Sequence, residues 1–384
     1  MATSSSPVWL EAHFSHLTDP RTGNRKVHQL LDIVGLTIIA VICGADDFTA
    51  IEAFGQARLD WLRRFLRLPA GVPSHDTIGR CWALIDADEF EQGFRSWVAA
   101  LVQLLPDEIV AVDGKTVRGS HDVSTGKEAI HMVSAWASSS GICLGQYRVD
   151  NKSNEITAIP ELLSLLDIQG SIVTIDAMGT QKAIAAQIID QEAHYVLALK
   201  ANHSELHSEV VATFDHLAGS SACPFAQDWE MDHGRIESRR CCVLDATDPD
   251  FDWILAADLK PWKNLSTIIC VEAKRYTATQ ESFERRYYLS SLPVENYSTQ
   301  RLNAIVRTHW SVENNLHWSL DVTFGEDASR VRKGVADQNL SVVRRLVLNL
   351  LKQDRSMKLG LKNKRLRAGW DQDYLLRLLS TGKV

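Results

Sequence analysis

The 384-residue sequence is short of the features that would put it in a specialised class. None of its seven cysteines (Cys43, Cys81, Cys143, Cys223, Cys241, Cys242 and Cys270) forms a Cys-x-x-Cys pair, and most stand among apolar residues. That pattern excludes a disulfide framework and a zinc ribbon, and reads as reduced core or strand positions of a cytosolic protein. The longest apolar run, Ile33 to Cys43, is too short to span a bilayer and suits a buried helix. The first seven residues lack the charged-then-apolar pattern of a secretory leader. Gly114-Lys115-Thr116 looks like the end of a phosphate-binding loop, but the upstream glycine is missing, so a P-loop nucleotidase is excluded. Ser74-His75-Asp76 spells a hydrolase triad in letters only. Three adjacent residues on a turn cannot converge on one reaction centre, so Ser74 or Asp76 is read as a helix cap. Internal repeats and low-complexity tracts are also absent.

What is present is an ordinary globular composition, 45% apolar and 23% charged, in a chain long enough for two or three domains. The net charge of −7 argues mildly against a nucleic-acid partner, but its distribution does not. Residues 328–370 hold twelve Lys and Arg against two Asp, a net of +10, which leaves −17 on the rest of the chain. A basic segment on an acidic body points to phosphate binding, with a solvated basic helix as the plainer reading.

Hydrophobic spacing divides the chain. Residues 8 to about 105 carry apolar positions at helical period. From about residue 108 the period changes, and Ile109–Asp113, His131–Trp136 and Cys143–Val149 read as three strands with short connections. A helix (156–166), the strand Ile172–Asp176, a helix (182–191), the strand His194–Lys200 and a helix (204–217) follow. Short connections then leave an antiparallel meander on one side, parallel strands on the other, and helices on the faces. Trp229–Leu244, Ser266–Thr277 and Phe283–Leu292 read as strands of a β-rich insertion. Beyond Ser341 an amphipathic helix gives way to a polar basic tail, Lys358–Arg367.

Three carboxylates carry the chemistry. Asp113 and Asp176 each end an apolar strand and open onto a glycine-containing turn, so both point beyond the carboxyl edge of the sheet. A turn or helix cap would explain either one alone. On neighbouring strands they would sit side by side, which is unfavourable unless a proton or cation is shared. Oxygen ligands favour Mg²⁺ or Mn²⁺ over zinc, and two such ions suit phosphodiester chemistry. His309, Glu313 and His317 recur every four residues and share one helix face, with Val312, Leu316 and Leu320 as the buried stripe. Imidazoles at that spacing can also ligate zinc. Trp310 and Trp318 are read as core residues ahead of base-stacking platforms.

Four motifs then converge on one resemblance. Asp113-Gly-Lys-Thr-Val-Arg-Gly-Ser, Lys152-Ser-Asn-Glu-Ile-Thr-Ala-Ile-Pro, Asp176-Ala-Met-Gly-Thr-Gln-Lys and His309-Trp-Ser-Val-Glu-Asn-Asn-Leu-His-Trp-Ser-Leu-Asp closely resemble a bacterial insertion-sequence transposase family. That family includes the H-repeat-associated proteins of Rhs elements. Asp19-Pro-Arg and Pro73-Ser-His-Asp-Thr resemble its N-terminal associated domain, so the likeness runs over roughly residues 15–350. It implies an α/β fold: a ribonuclease-H-like mixed sheet with flanking helices, a β-rich insertion before the last catalytic helix, and an N-terminal helical domain. The implied Asp–Asp–Glu triad falls on Asp113, Asp176 and Glu313, as catalytic residues and metal ligands. The implied activity is Mg²⁺-dependent cleavage at inverted-repeat ends and strand transfer into target DNA, with Mn²⁺ as an alternative ion. The wider superfamily marks its last element with Tyr-x₂-Arg-x₃-Glu-x₆-Lys. Those positions here hold Val306, His309, Glu313 and Leu320, so only the Glu is kept. Basic contacts to an element end must then come from elsewhere, with Arg307, His309 and His317 as candidates.

The expected organisation is residues 1–105 helical and a candidate DNA-binding unit, 106–222 and 293–350 the two parts of the catalytic core, 223–292 the insertion, and 351–384 a basic tail. Lys115, Lys152, Lys182, Lys200, Arg330, Arg332 and Lys333 are candidate phosphate contacts. The expected setting is cytoplasmic and nucleoid-associated, with double-stranded DNA as partner, a homodimer on that DNA, and no membrane. Two alternatives are a DNA-binding relative that no longer transposes and a stand-alone nuclease of the same fold.

Overall fold

A computed structural model describes residues 8–22, 26–150, 153–217, 223, 225–232, 235–249, 262–277 and 280–381. Its first hundred residues fold as α1 (Val8–Phe14), α2 (Leu30–Ile42), α3 (Phe48–Ala57), α4 (Leu59–Leu62), α5 (His75–Trp82) and α6 (Ala87–Leu101). Short polar side chains start several of these helices by accepting the otherwise orphaned first N–H groups. Asp47 caps α3, Ser74 caps α5 and Asp86 caps α6. Ser74 is therefore a cap, and His75 bonds Glu52 through Nδ1 at 2.6 Å. The apolar run that suggested a buried helix is α2, with Ile33 to Ile42 all buried. The cysteines are unpaired, and all but Cys43 are buried.

Among the described residues the strands form one nine-stranded sheet in the order β3-β2-β1-β4-β5-β9-β8-β7-β6. β1 (Ile109–Thr116), β2 (His131–Ala137) and β3 (Ile142–Val149) make the antiparallel meander. β4 (Ile172–Ile175) and β5 (His194–Leu199) extend it in parallel from β1. Helices α7 (Glu155–Ser164), α8 (Lys182–Asp190) and α9 (Ser204–His216) alternate with these strands. This is the ribonuclease-H-like arrangement.

The insertion supplies β6 (Phe225–Asp232), β7 (Arg235–Asp245), β8 (Thr267–Tyr276) and β9 (Glu281–Ser290). Two details differ from the sequence reading. The stretch Trp229–Leu244 is not one strand but two antiparallel ones, β6 and β7, meeting across residues 233–234, which lie outside the described residues. The insertion also does not stand apart, because β9 pairs antiparallel with β5 and continues the main sheet.

After it come α10 (Thr299–Thr308), a π-helical segment (Val312–His317), α11 (Trp318–Phe324), α12 (Ala336–Gln353), α13 (Leu361–Trp370) and α14 (Gln372–Thr381). The expected basic tail is thus folded as far as residue 381. Lys364 and Arg365 are buried because carbonyl groups receive them and the carboxylates of Asp354 and Asp46 meet their charges. Lys364 Nζ donates to Leu351 O at 2.8 Å, and Arg365 donates to Val41 O, in the last turn of α2, at 2.9 and 3.1 Å. A cation at a helix C-terminus also meets the negative end of its dipole. Arg365 stacks on Phe324 as well, 4.5 Å from the ring centroid. Helix α12 packs on β3 on one side and on α2 and α6 on the other, so one hydrophobic core joins the N-terminal helices to the sheet. Among the described residues, no helix is long and apolar enough to cross a membrane.

Candidate active site

The parallel register of β1 and β4 ends at the pair Val112–Ile175. Asp113 and Asp176 are the next residues on the two strands. β1 does not stop there. It continues to Thr116 against β2, so Asp113 lies where β1 loses only one of its neighbours. Gly114 is accordingly a strand residue, not the start of a turn. A Cβ at this position would lie 2.1 Å from Glu155 Oε1 and 2.5 Å from His131 Nε2. Glycine is needed there to admit the Glu155–His131 pair, whose own contact is 2.6 Å. Asp176 does open a turn: Met178 N–H donates to its Oδ1 at 3.0 Å.

Glu313 reaches the same edge because of face alternation. Ile109 packs beneath α10 with Leu302 and Ile305, and the two-residue period of β1 carries that face on to Asp113. The segment following α10 therefore runs over Asp113. It does so as a π turn, a form often found at functional sites. Val312, Leu316 and Leu320 point inward as the stripe requires. Trp310 and Trp318, read as core, are instead 46% and 59% exposed, because those three aliphatic residues fill the inner face. The Arg286 guanidinium lies 4.8 Å from the Trp310 ring centroid.

His317 Nδ1 is 3.1 Å from Glu313 Oε2 and 3.5 Å from Asp113 Oδ2. One ligand atom from each of Asp113, Glu313 and His317 falls within 4.8 Å of the other two. Asp176 is not in that tight group, but its charge reaches Asp113. Burial above all, with the like charges of Asp176, Glu155 and Glu313, pushes the Asp113 carboxyl up to about 7. Burial likewise lowers the His317 imidazole below its ordinary value, helped by the Arg345 and Lys115 charges.

The remaining candidates are dispersed. Lys115 shares the Asp113 face of β1 and is buried, with Nζ 2.8 Å from Asp321, 2.8 Å from Asp327 and 3.7 Å from Glu326. Its charge is met by these carboxylates and is not offered to a phosphate. His309 Nδ1 bonds Thr174 Oγ1 at 2.9 Å, and burial pushes its imidazole down to about 4. Arg307 pairs with Glu230. Lys182 opens α8, and Lys200 is exposed just after β5. Arg330 and Lys333 are exposed between α11 and α12, while Arg332 Nε donates to Gly119 O at 2.9 Å. Lys152 lies outside the described residues. Glu155 was missed as part of this neighbourhood, and its one local signal is its place in the motif beginning at Lys152. His317 was singled out as a DNA contact, not as a neighbour of Asp113.

Residues 105–350 match the profile of the Transposase DDE domain family, and residues 11–98 match a DDE_Tnp_1-associated profile. The chain belongs to the DDE transposase family. Transposase relatives cover nearly all of it. YncI of Escherichia coli O157:H7 is 39% identical over 96% of this chain and 94% of its own. The H repeat-associated protein YhhI of Escherichia coli K12 is 37% identical over 97% of each. The names of both call them transposases without an established activity. Among solved structures, a piggyBac transposase synaptic complex with hairpin DNA aligns over 97% of this chain and 76% of its own, at 11% identity and a TM-score of 0.42.

Proposed function

We propose that this family member is a divalent-metal-dependent DNA transposase that cuts at the ends of an insertion sequence and joins them to target DNA. Asp113, Asp176 and Glu313 are its catalytic carboxylates. The observation carrying this reading is the convergence of Asp113 and Glu313, from residues two hundred positions apart in sequence, beside the strand end that bears Asp176. The donors suit a divalent cation. Asp113 is buried among like charges, a situation that a cation relieves. When bound, Mg²⁺ or Mn²⁺ supplies positive charge to the attacking and leaving oxygens of a phosphodiester.

The protein's own part is positioning. In this reading the β1–β4 edge sets the spacing of the two aspartates, and the π segment carries Glu313 to Asp113. Exposed cations such as Lys200, Arg330 and Lys333 would hold the DNA backbone, which makes binding salt-sensitive without reading sequence. Hydrolysis at the element end frees a 3′-hydroxyl. Its in-line attack on a target phosphodiester makes one P–O bond and breaks one, so no external energy source is needed. A homodimer would hold the two element ends together. The test is incubation of the purified chain with Mg²⁺ and a labelled duplex bearing the flanking inverted repeats. Joined products support transposition, nicks alone support a nuclease, and a shifted band without cutting supports a binding-only protein.

A further inference from the structure

We infer that His317 is a nitrogen ligand of the divalent metal at this site, making the centre a mixed carboxylate–imidazole one that prefers Mn²⁺ to Mg²⁺. The inference rests on the metal-site reading above and adds a donor that the Asp–Asp–Glu triad does not contain. Two donors at right angles around an ion, each about 2.1 Å from it, are about 3.0 Å apart. His317 Nδ1 stands 3.1 Å from Glu313 Oε2 and 3.5 Å from Asp113 Oδ2, the spacing of adjacent positions in one coordination shell. The three donors come from two elements that meet only in the folded chain, β1 and the π segment.

The imidazole is also held in place. His317 is 3% exposed and follows Leu316, which is fully buried, so packing restrains the ring. The i→i+5 bonding of the π turn sets residues 313 and 317 nearly above one another, which presents carboxylate and imidazole as a pair. The other ring nitrogen, Nε2, is buried and finds no partner among the described residues. Among the described residues, the polar contacts of this side chain are thus with the two carboxylates, through Nδ1 alone. A surface DNA contact, the alternative role for this residue, would need an exposure it does not have.

A nitrogen donor changes which ion is favoured. Carboxylate oxygens alone suit Mg²⁺ and Mn²⁺ similarly, whereas imidazole binds the later first-row ions better and Mg²⁺ poorly. Replacing His317 should therefore weaken Mn²⁺ more than Mg²⁺.

The experiment is a Mn²⁺ titration of the full chain followed by electron paramagnetic resonance. Continuous-wave spectra give affinity, and pulsed echo-modulation spectra detect directly bound ¹⁴N. Wild type should show nitrogen modulation. His317→Gln should lose it and bind Mn²⁺ about ten-fold more weakly, with a smaller change for Mg²⁺ measured by competition. His309→Gln should keep the modulation, which excludes the nearby imidazole as its source. If His317→Gln fails to fold, modulation kept in both His309→Gln and His131→Gln still assigns the nitrogen to His317, because those two neighbouring imidazoles are then excluded. Bound Mn²⁺ without nitrogen modulation, lost in Asp113→Asn, would overturn the role of His317 while leaving the carboxylate site standing. Full Mn²⁺ binding in Asp113→Asn would overturn both.

Discussion

Arg345 and Glu326 meet at 3.2 Å, and neither side chain is exposed to solvent. Around them Arg345 bonds Ser134, on β2, and Glu326 accepts from Ser341, on α12. Lys115 completes the cluster 3.7 Å from Glu326, two residues along β1 from Asp113. The network thus ties the strand bearing the candidate catalytic aspartate to helix α12. Removing one partner of a buried pair leaves an uncompensated charge, which typically costs about 3–5 kcal/mol. Glu326→Gln, which takes the carboxylate away from the buried Arg344 and Arg345, should lower unfolding free energy by about that amount in urea titrations. A loss below about 1 kcal/mol would show that the pair contributes little.

Asp176→Ala should abolish cleavage while leaving DNA binding intact, because among the described residues the hydrogen bonds of this side chain stay within its own turn. The expected loss in cleavage rate is about 10³-fold, the size of several kcal/mol of lost charge stabilisation. Gel-shift and cleavage assays on one preparation separate the two effects. Retained cleavage would sink the assignment.

The raised Asp113 carboxyl makes stability depend on pH with a definite sign. The folded state holds this proton up to about pH 7, whereas an unfolded chain releases it near the ordinary carboxyl value of 3.8. The native state therefore binds the extra proton between those limits, and this group's contribution falls as pH rises through that window. A divalent cation replaces the proton, so Mn²⁺ should raise the melting temperature more at pH 8 than at pH 5. Glu91, buried and also pushed up to about 7, adds a background of the same sign. Asp113→Asn isolates the site: it should remove the metal effect and keep the background. Equal metal shifts at both pH values in the native protein would contradict the argument.

Gly114→Ala inserts a methyl group into the Glu155–His131 contact and should destabilise the protein by about 1–3 kcal/mol. Glu155→Ala in the same chain should recover most of that loss, since it removes the nearest colliding atoms. A thermal-unfolding double-mutant cycle measures the coupling. Additive losses would mean that the collision is relieved elsewhere.

Arg330→Ala with Lys333→Ala should weaken DNA binding equally for all sequences and reduce the slope of log affinity against log salt by about 2. Lys115→Met should leave that slope unchanged, because its ammonium is already paired with Asp321 and Asp327. Fluorescence anisotropy across a salt series distinguishes the two, and a slope change from Lys115→Met would overturn its structural role.

Local patterns in the sequence determined much of this protein. A short apolar run bounded by turn residues marks a buried strand, and a 3.6-residue stripe marks a helix, so β1 to β5 and the helices between them could be read directly. The same patterns put Asp113 and Asp176 at the ends of apolar runs, and Glu313 four residues from His309 and from His317. Tertiary structure alone decided which runs became neighbours. The pairing of β9 with β5, which merges insertion and core into one sheet, depends on contacts that no local window contains. Lys364 and Arg365 carry the composition of a solvated tail, and only Val41, Leu351 and their neighbours supply the acceptors that bury them. Burial of Lys115 likewise needed three carboxylates, Asp321 on α11 and Glu326 and Asp327 in the turn after it, about two hundred residues away. Spacing held His317 beside Glu313. Its approach to Asp113 was settled when the π segment crossed the end of β1, because the distance between two side chains on separate elements belongs to the packing and not to either sequence.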